Sequence, residues 1–189
     1  MPSPASAWTR RLDPRRSRAP SRPAPPAGGG RCSRYDVGME GAAGKKRVLV
    51  ICTGNSCRSQ MAEGWLRHLL GDLVEVASAG TVPGPAVAPL AVRVMAEAGI
   101  DISHHVPEHV VRYEDEPWDL VVTVCDDADE LCPDFPGAAR RIHVGFPDPW
   151  AAPGGEEERL AAYRDVRDRI RRELVPRVAR ELGLSVPPS

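Results

Sequence analysis

Cys52 closes the apolar run Val48-Leu49-Val50-Ile51 and opens the stretch Thr53-Gly54-Asn55-Ser56-Cys57, followed by Arg58 and Ser59. A thiol at the carboxyl end of a buried strand, six residues before an arginine at the mouth of a helix, makes an oxyanion trap. The N–H groups of such a loop and the helix amino terminus attract a tetrahedral anion. The same field stabilises a thiolate, the reactive form of cysteine. Arg58 adds a planar fork of donors and is expected to lower the thiol pKa further. Ser59 and Asn55 are expected to orient thiolate and loop by side-chain hydrogen bonds.

The elements around this loop follow from periodicity. Arg47–Ile51 is a compact β-branched run, as in a central parallel strand buried on both faces. A helix is expected over about 58–70, with Met61, Trp65, Leu66 and Leu69 on one side and Gly71 as its cap. Val74–Ser78 reads as a second strand, and 79–85 as a turn-rich loop. A helix follows over about 87–98, with Leu90, Val94 and Met95 inward and Gly99 as its stop. Strands are expected at 119–124 and 141–144. The last helix starts near Gly155, places Leu160, Tyr163, Val166, Ile170 and Leu174 inward, and should kink or end at Pro176. Alternating strands and helices predict a single three-layer α/β domain around a four-stranded parallel sheet.

Ligands of such sheets bind beyond the carboxyl ends of the strands. Cys52 ends the first strand, Cys125 the third, and Asp148 follows the fourth. Neighbouring strands would bring the first two to roughly 5 Å in the sheet plane. Two thiols and a carboxylate then converge.

The run Cys52–Glu63 resembles the signature of thioredoxin-coupled arsenate reductases, which share the fold of low-molecular-weight protein tyrosine phosphatases. The resemblance takes in Ser78–Thr81, Gly99–His105, Cys125 through Pro133 and His143–Pro149, and covers about residues 45–182. Cys52 and Arg58 alone would indicate only a cysteine phosphatase; the added pair Cys125 and Cys132 makes the resemblance specific.

The resemblance implies that Cys52 attacks arsenate to form a thiol–arsenic adduct. Arg58 and the backbone of Thr53, Gly54, Asn55, Ser56, Cys57 and Arg58 would hold the anion, and Asp148 would protonate the departing oxygen. Pro149 biases Asp148 toward an extended backbone. By resemblance again, Cys125 releases arsenite by forming a Cys52–Cys125 disulfide. Cys132 then forms a Cys125–Cys132 disulfide for thioredoxin, the expected electron donor, to reduce. A helix over 126–132 would separate Cys125 and Cys132 by about 10.5 Å along its axis, beyond the ~7 Å that a disulfide tolerates between Cα atoms. Oxidation should therefore melt that short acidic helix. Arsenate is the expected substrate and phosphate a competing anion, with no tightly bound cofactor and no metal.

Other readings stay open. A phosphatase acting on phosphotyrosine or a small phosphoester would need Cys52, Arg58 and Asp148 but not the cysteine pair. Its pocket would want aromatic walls, and of nine aromatics Trp150 is the suggestive one. A non-enzymatic oxyanion-binding or redox-sensing module would bind without turnover. A zinc site from Cys52, Cys57, Cys125 and Cys132 lacks the usual two-residue knuckles. Cys57 reads as a buried packing or steric residue, and Cys32 as incidental. His104 and His105 are adjacent and cannot share a ligand from one helix face. With His109 and His143, they read as capping, packing or solvated residues. Trp65 reads as core, and Glu156-Glu157-Glu158 as a solvated helix start favoured by the macrodipole.

Residues 1–44 carry eight Arg, seven Pro and six Gly against three acidic residues. Such an arm cannot bury enough apolar surface to offset its ordering entropy, and is expected to be disordered. It resembles an organelle transit peptide in composition but lacks an amphipathic helix, and Arg10-Arg11 is followed by no apolar segment. The preferred reading is a translated leader upstream of a working start at Met39. The domain is expected over 45–184, with a short tail over 185–189. Thiols that must cycle through the reduced state suggest the cytoplasm. No apolar run approaches the ~20 residues that span a bilayer. A monomer with neither nucleic acid nor membrane as partner is expected.

Overall fold

The computed structural model describes residues 44–125, 135 and 137–185. The arm before Gly44, the expected helix over 126–132 with Cys132, and the end of the tail lie outside them. Four strands form one parallel sheet: β1 (Lys46–Cys52), β2 (Val74–Gly80), β3 (Leu120–Thr123) and β4 (Arg141–His143), in the order β2-β1-β3-β4. Val48–Ile51 and Leu120–Val122 are all fully buried. Successive rather than alternate burial means that both sheet faces are covered, which is the three-layer arrangement expected.

Register places the site. Ile51 pairs with Thr123 and Cys52 with Gly80. The ladder continues past the strands through Val124 N–H to Ile51 O at 2.9 Å. The carboxyl ends of β1 and β3 therefore finish side by side.

The helix α1 (Arg58–Leu70) buries Met61, Trp65 and Leu66. Gly71 caps it, though in the right-handed region (φ −59°), donating to Arg67 O at 3.1 Å rather than adopting a left-handed turn. The second strand outlasts its expected end: Ala79 and Gly80 join the ladder instead of the loop. The helix α2 (Pro89–Glu97) starts two residues later than expected, because Pro89 suits a first helical position, and Ala88 keeps an extended backbone. Within it Ala91, Val94 and Met95 are buried, whereas Leu90 is only half-buried.

The terminal helix begins after Gly155, with Glu158 reaching back to Gly155 N–H at 2.9 Å. It does not stop at Pro176. Glu156–Arg169 (α3) widens into a π-helical turn over Ile170–Leu174 and continues as Val175–Leu182 (α4). Proline lacks an N–H, and in an unbroken α-helix its ring meets the carbonyl four residues earlier. The wider turn, in which Val175 N–H reaches Ile170 O, absorbs that conflict. Leu160, Tyr163, Val166, Ile170 and Leu174 are all buried, as the spacing predicts. Two short 3-10 turns, Val110–Tyr113 and Pro149–Ala151, have no periodic signal in the sequence.

Candidate active site

The loop from Thr53 to Cys57 joins β1 to α1, and its shape rests on Asn55. Asn55 has φ +44°, a left-handed conformation that asparagine tolerates better than most residues. Its own N–H donates to Cys52 Sγ at 3.2 Å. Its side-chain amide donates to Ser59 Oγ at 2.9 Å and to Ser78 Oγ at 2.8 Å. Asn55 Oδ1 accepts from Glu108 N–H at 2.8 Å, which fixes the amide's orientation. Gly80 makes room for this turn: a Cβ there would lie 2.6 Å from Thr53 O and 2.9 Å from Asn55 N.

Cys52 is 2% exposed, and its sulfur lies 2.9 Å from Ser59 Oγ. Burial pushes its thiol up from the ordinary value; the Ser59 and Asn55 hydrogen bonds pull the other way without prevailing. Arg58 donates to Phe146 O at 3.2 Å and lies 3.6 Å from Asp148 Oδ2. Desolvation of the sulfur then dominates.

Asp148 follows β4 with an extended backbone (φ −79°, ψ 109°), as Pro149 requires, and caps the Pro149–Ala151 turn by accepting from Trp150 N–H at 3.2 Å. Cys125 is buried against the loop: its sulfur accepts from Thr53 N–H at 3.3 Å and lies 3.4 Å from Thr53 Oγ1. Cys57, the cap residue of α1, is buried, and burial pushes its thiol far up. A packing role fits it. Cys132 lies outside the described residues. Thr53, Gly54, Ser56 and Cys57 line the mouth of a cleft with Cys52, Arg58 and Asp148.

Behind Asn55 stands a polar network in which the sequence reading gave no site role to Gln60, Glu63 or Ser78 and read His105 only as a capping, packing or solvated residue. Gln60 Nε2 donates to Asn55 O and Oδ1, and its Oε1 faces His105 Nδ1 at 2.8 Å. His105 is the hydrogen donor here, since the Gln60 oxygen can only accept. Glu63 is buried on the side of α1 that also carries Ser59 and Gln60, accepting from Ser78 Oγ at 2.5 Å and pairing with Arg67 at 2.6 Å. By helical spacing Glu63 falls across α1 from the apolar stripe of Met61, Trp65 and Leu69, so the sequence gives no signal of its burial. His109 caps the Val110–Tyr113 turn through Val111 N–H. Among the described residues, no group of three or more His, Cys, Asp or Glu is arranged to hold a metal, and no helix is long and apolar enough to cross a membrane.

A buried thiol, an arginine and a carboxylate thus line one cleft at the carboxyl end of β1. The model of the low-molecular-weight phosphotyrosine protein phosphatase family matches residues 47–183. The chain belongs to that family. Within it, the chain is 48% identical over 126 residues to an arsenate reductase of Halalkalibacterium halodurans, covering 67% of this chain and 90% of that protein. It is 47% identical over 125 residues to an arsenate reductase of Bacillus subtilis, covering 66% and 89%. The phosphatase-family fold is shared with an arsenate reductase solved in a phosphate-binding state (28% identity, TM-score 0.58, 74% of this chain and 99% of that one). It is also shared with a thioredoxin-dependent arsenate reductase of Corynebacterium glutamicum (31% identity, TM-score 0.51, 74% of this chain and 64% of that one).

Proposed function

We propose that this chain reduces arsenate to arsenite, with thioredoxin as the dithiol that restores it. The observation that carries the reading is the second buried sulfur: Cys125 sits against Thr53 N–H, one residue beyond the nucleophile. A phosphatase has no use for a thiol there. Arsenate seats on the loop N–H groups with Arg58 swung from Asp148 onto its oxygens. A protonated Cys52 can pass its proton to the bound dianion, so the attacking thiolate forms in the complex. Cys52 Sγ then bonds to arsenic, and Asp148 donates a proton to the oxygen that leaves as water. Attack of Cys125 on Cys52 Sγ makes the disulfide and leaves the bonding pair on arsenic, which departs as arsenite. Cys132 would take over the disulfide from Cys52 and offer it to thioredoxin.

Arsenite production with thioredoxin, its reductase and NADPH tests this reading. Cys125→Ser and Cys132→Ser should each abolish multiple turnover. Turnover retained in both would point to another electron donor.

A second reading, hydrolysis of phosphomonoesters, has support in the Cys52, Arg58 and Asp148 arrangement and in the family itself. It predicts phosphatase activity that survives Cys125→Ser.

A further inference from the structure

The cleft above Cys52 has a volume of about 560 Å³. A tetrahedral oxyanion displaces only two or three waters, roughly 60–90 Å³ at ~30 Å³ each. Most of the space therefore lies beyond the anion, and its walls are apolar. Pro85, Ala86, Val87 and Pro89 line it together with Trp150, which is 66% exposed. No charged side chain occurs between Gly84 and Pro89.

This wall is fastened to the anion loop along its length. Thr81 N–H donates to Cys52 O at 3.3 Å, Val82 N–H to Thr53 O at 2.9 Å, Gly84 N–H to Gly54 O at 2.8 Å and Ala88 N–H to Ser56 O at 2.7 Å. Trp150 is tied to the acid in turn, through its N–H to Asp148 Oδ1. Apolar surface held in register with both nucleophile and acid is what an organic substituent on the oxyanion would meet.

From the wall's composition and anchoring we infer that the cleft admits arsonates bearing an aryl group, R–AsO₃, and that the site reduces them. The inference rests on the arsenate-reductase reading of the same thiols. Cys52 Sγ bonds to arsenic while one arsenic–oxygen bond breaks, and water leaves with the thiol's proton; the carbon–arsenic bond stays intact. Cys125 then attacks Cys52 Sγ. The sulfur–sulfur bond forms, the sulfur–arsenic bond breaks, and its electron pair remains on arsenic. With two protons taken up, the product is R–As(OH)₂. Arsenic gains the two electrons that the two thiols lose. The aryl ring lies between the Pro85–Val87 wall and the Trp150 indole.

The test is a single turnover of the pre-reduced full chain with arsenate or phenylarsonate, since a trivalent aryl product captures dithiols and would confuse recycling. Trivalent arsenic is separated chromatographically, and the disulfide is counted by mass. Phenylarsonate should be reduced, with one disulfide per arsenic. Trp150→Ala should lower its rate relative to arsenate by about fivefold to tenfold, and Trp150→Phe should restore most of the ratio, as an aromatic contact predicts. Reduction of arsenate but not phenylarsonate overturns the inference and leaves the arsenate reading standing. Reduction of neither overturns both. An unchanged ratio in Trp150→Ala overturns the assignment of the cleft.

Discussion

The side-chain amide of Asn55 donates to the Ser59 hydroxyl over 2.9 Å, and that hydroxyl lies 2.9 Å from Cys52 Sγ. Because Ser59 Oγ already accepts from Asn55, its hydrogen is free to point at the sulfur. A residue four positions away thereby decides that the thiolate has a donor.

Ser59→Ala should raise the Cys52 pKa beyond its already elevated position, since burial would then be opposed by one hydrogen bond fewer. The loss of a hydrogen bond to a charged group is worth about 1.5–3 kcal/mol, so iodoacetamide alkylation of Cys52 at neutral pH should slow at least tenfold. The rate should still climb with pH as the thiolate forms. An unchanged alkylation profile would count against this role of Ser59.

Asn55→Ala should be more damaging than its size suggests. It places a Cβ-bearing residue without side-chain hydrogen bonds at φ +44°, leaves Glu108 N–H without its acceptor and takes the amide donor from Ser59 and Ser78. A cost of about 2–4 kcal/mol is expected from strain and orphaned polar groups together. Asn55→Gly relieves the strain but not the lost hydrogen bonds, so urea unfolding should place it between Ala and the parent.

Gly80→Ala should disturb the loop from outside it. The added methyl would fall 2.6 Å from Thr53 O, and overpacking of this kind costs about 1–3 kcal/mol. Turnover should fall more than thermal stability does, because the atoms displaced belong to the anion cradle.

Two titratable groups behind the loop, buried Glu63 and half-buried His105, pull stability in opposite directions with pH. Burial and the charges of Arg67 and His104 lower the His105 pKa to about 4. The unfolded chain therefore binds more protons between about pH 6.5 and 4, and stability falls as pH drops through that window. His105→Gln should flatten this slope. Glu63 is the reverse: burial raises its pKa, the folded state holds the proton longer, and stability falls as pH rises above the unfolded carboxylate value. Glu63→Gln should remove that decline. Chemical denaturation from pH 4 to 8 would show both, and unchanged slopes would exclude them.

Asp148→Asn should lower turnover by about 10²–10⁴, the usual range for a general acid, while leaving anion affinity nearly intact or improved. Asp148 now holds Arg58 at 3.6 Å, and removing its charge frees the guanidinium for the anion. Phosphate inhibition of the variant gives the affinity; a large loss of phosphate binding would contradict the arrangement.

Much of this site is legible in the chain because local patterns agree with the global fold. Val48–Ile51 is uniformly apolar, so the strand must be central, and the loop and helix behind it follow. What stays hidden is the support. Gln60, Glu63, Ser78 and His105 lie on three segments, and nothing about their spacing shows that they converge on Asn55. The π turn at Ile170–Leu174 is equally invisible, since a proline at 176 announces a conflict but not how neighbouring residues will settle it. Arg58 shows a different limit: its residue type indicates an anion, but not that Asp148 and Phe146 O would be its neighbours.

Cys52 and Cys125 meet only through the parallel pairing of β1 and β3, with Thr53 and Cys125 separated by 72 residues of chain. Neither sulfur has the other for company until those strands are paired. Any chemistry that needs both thiols therefore depends on the tertiary structure and not on either cysteine's local sequence.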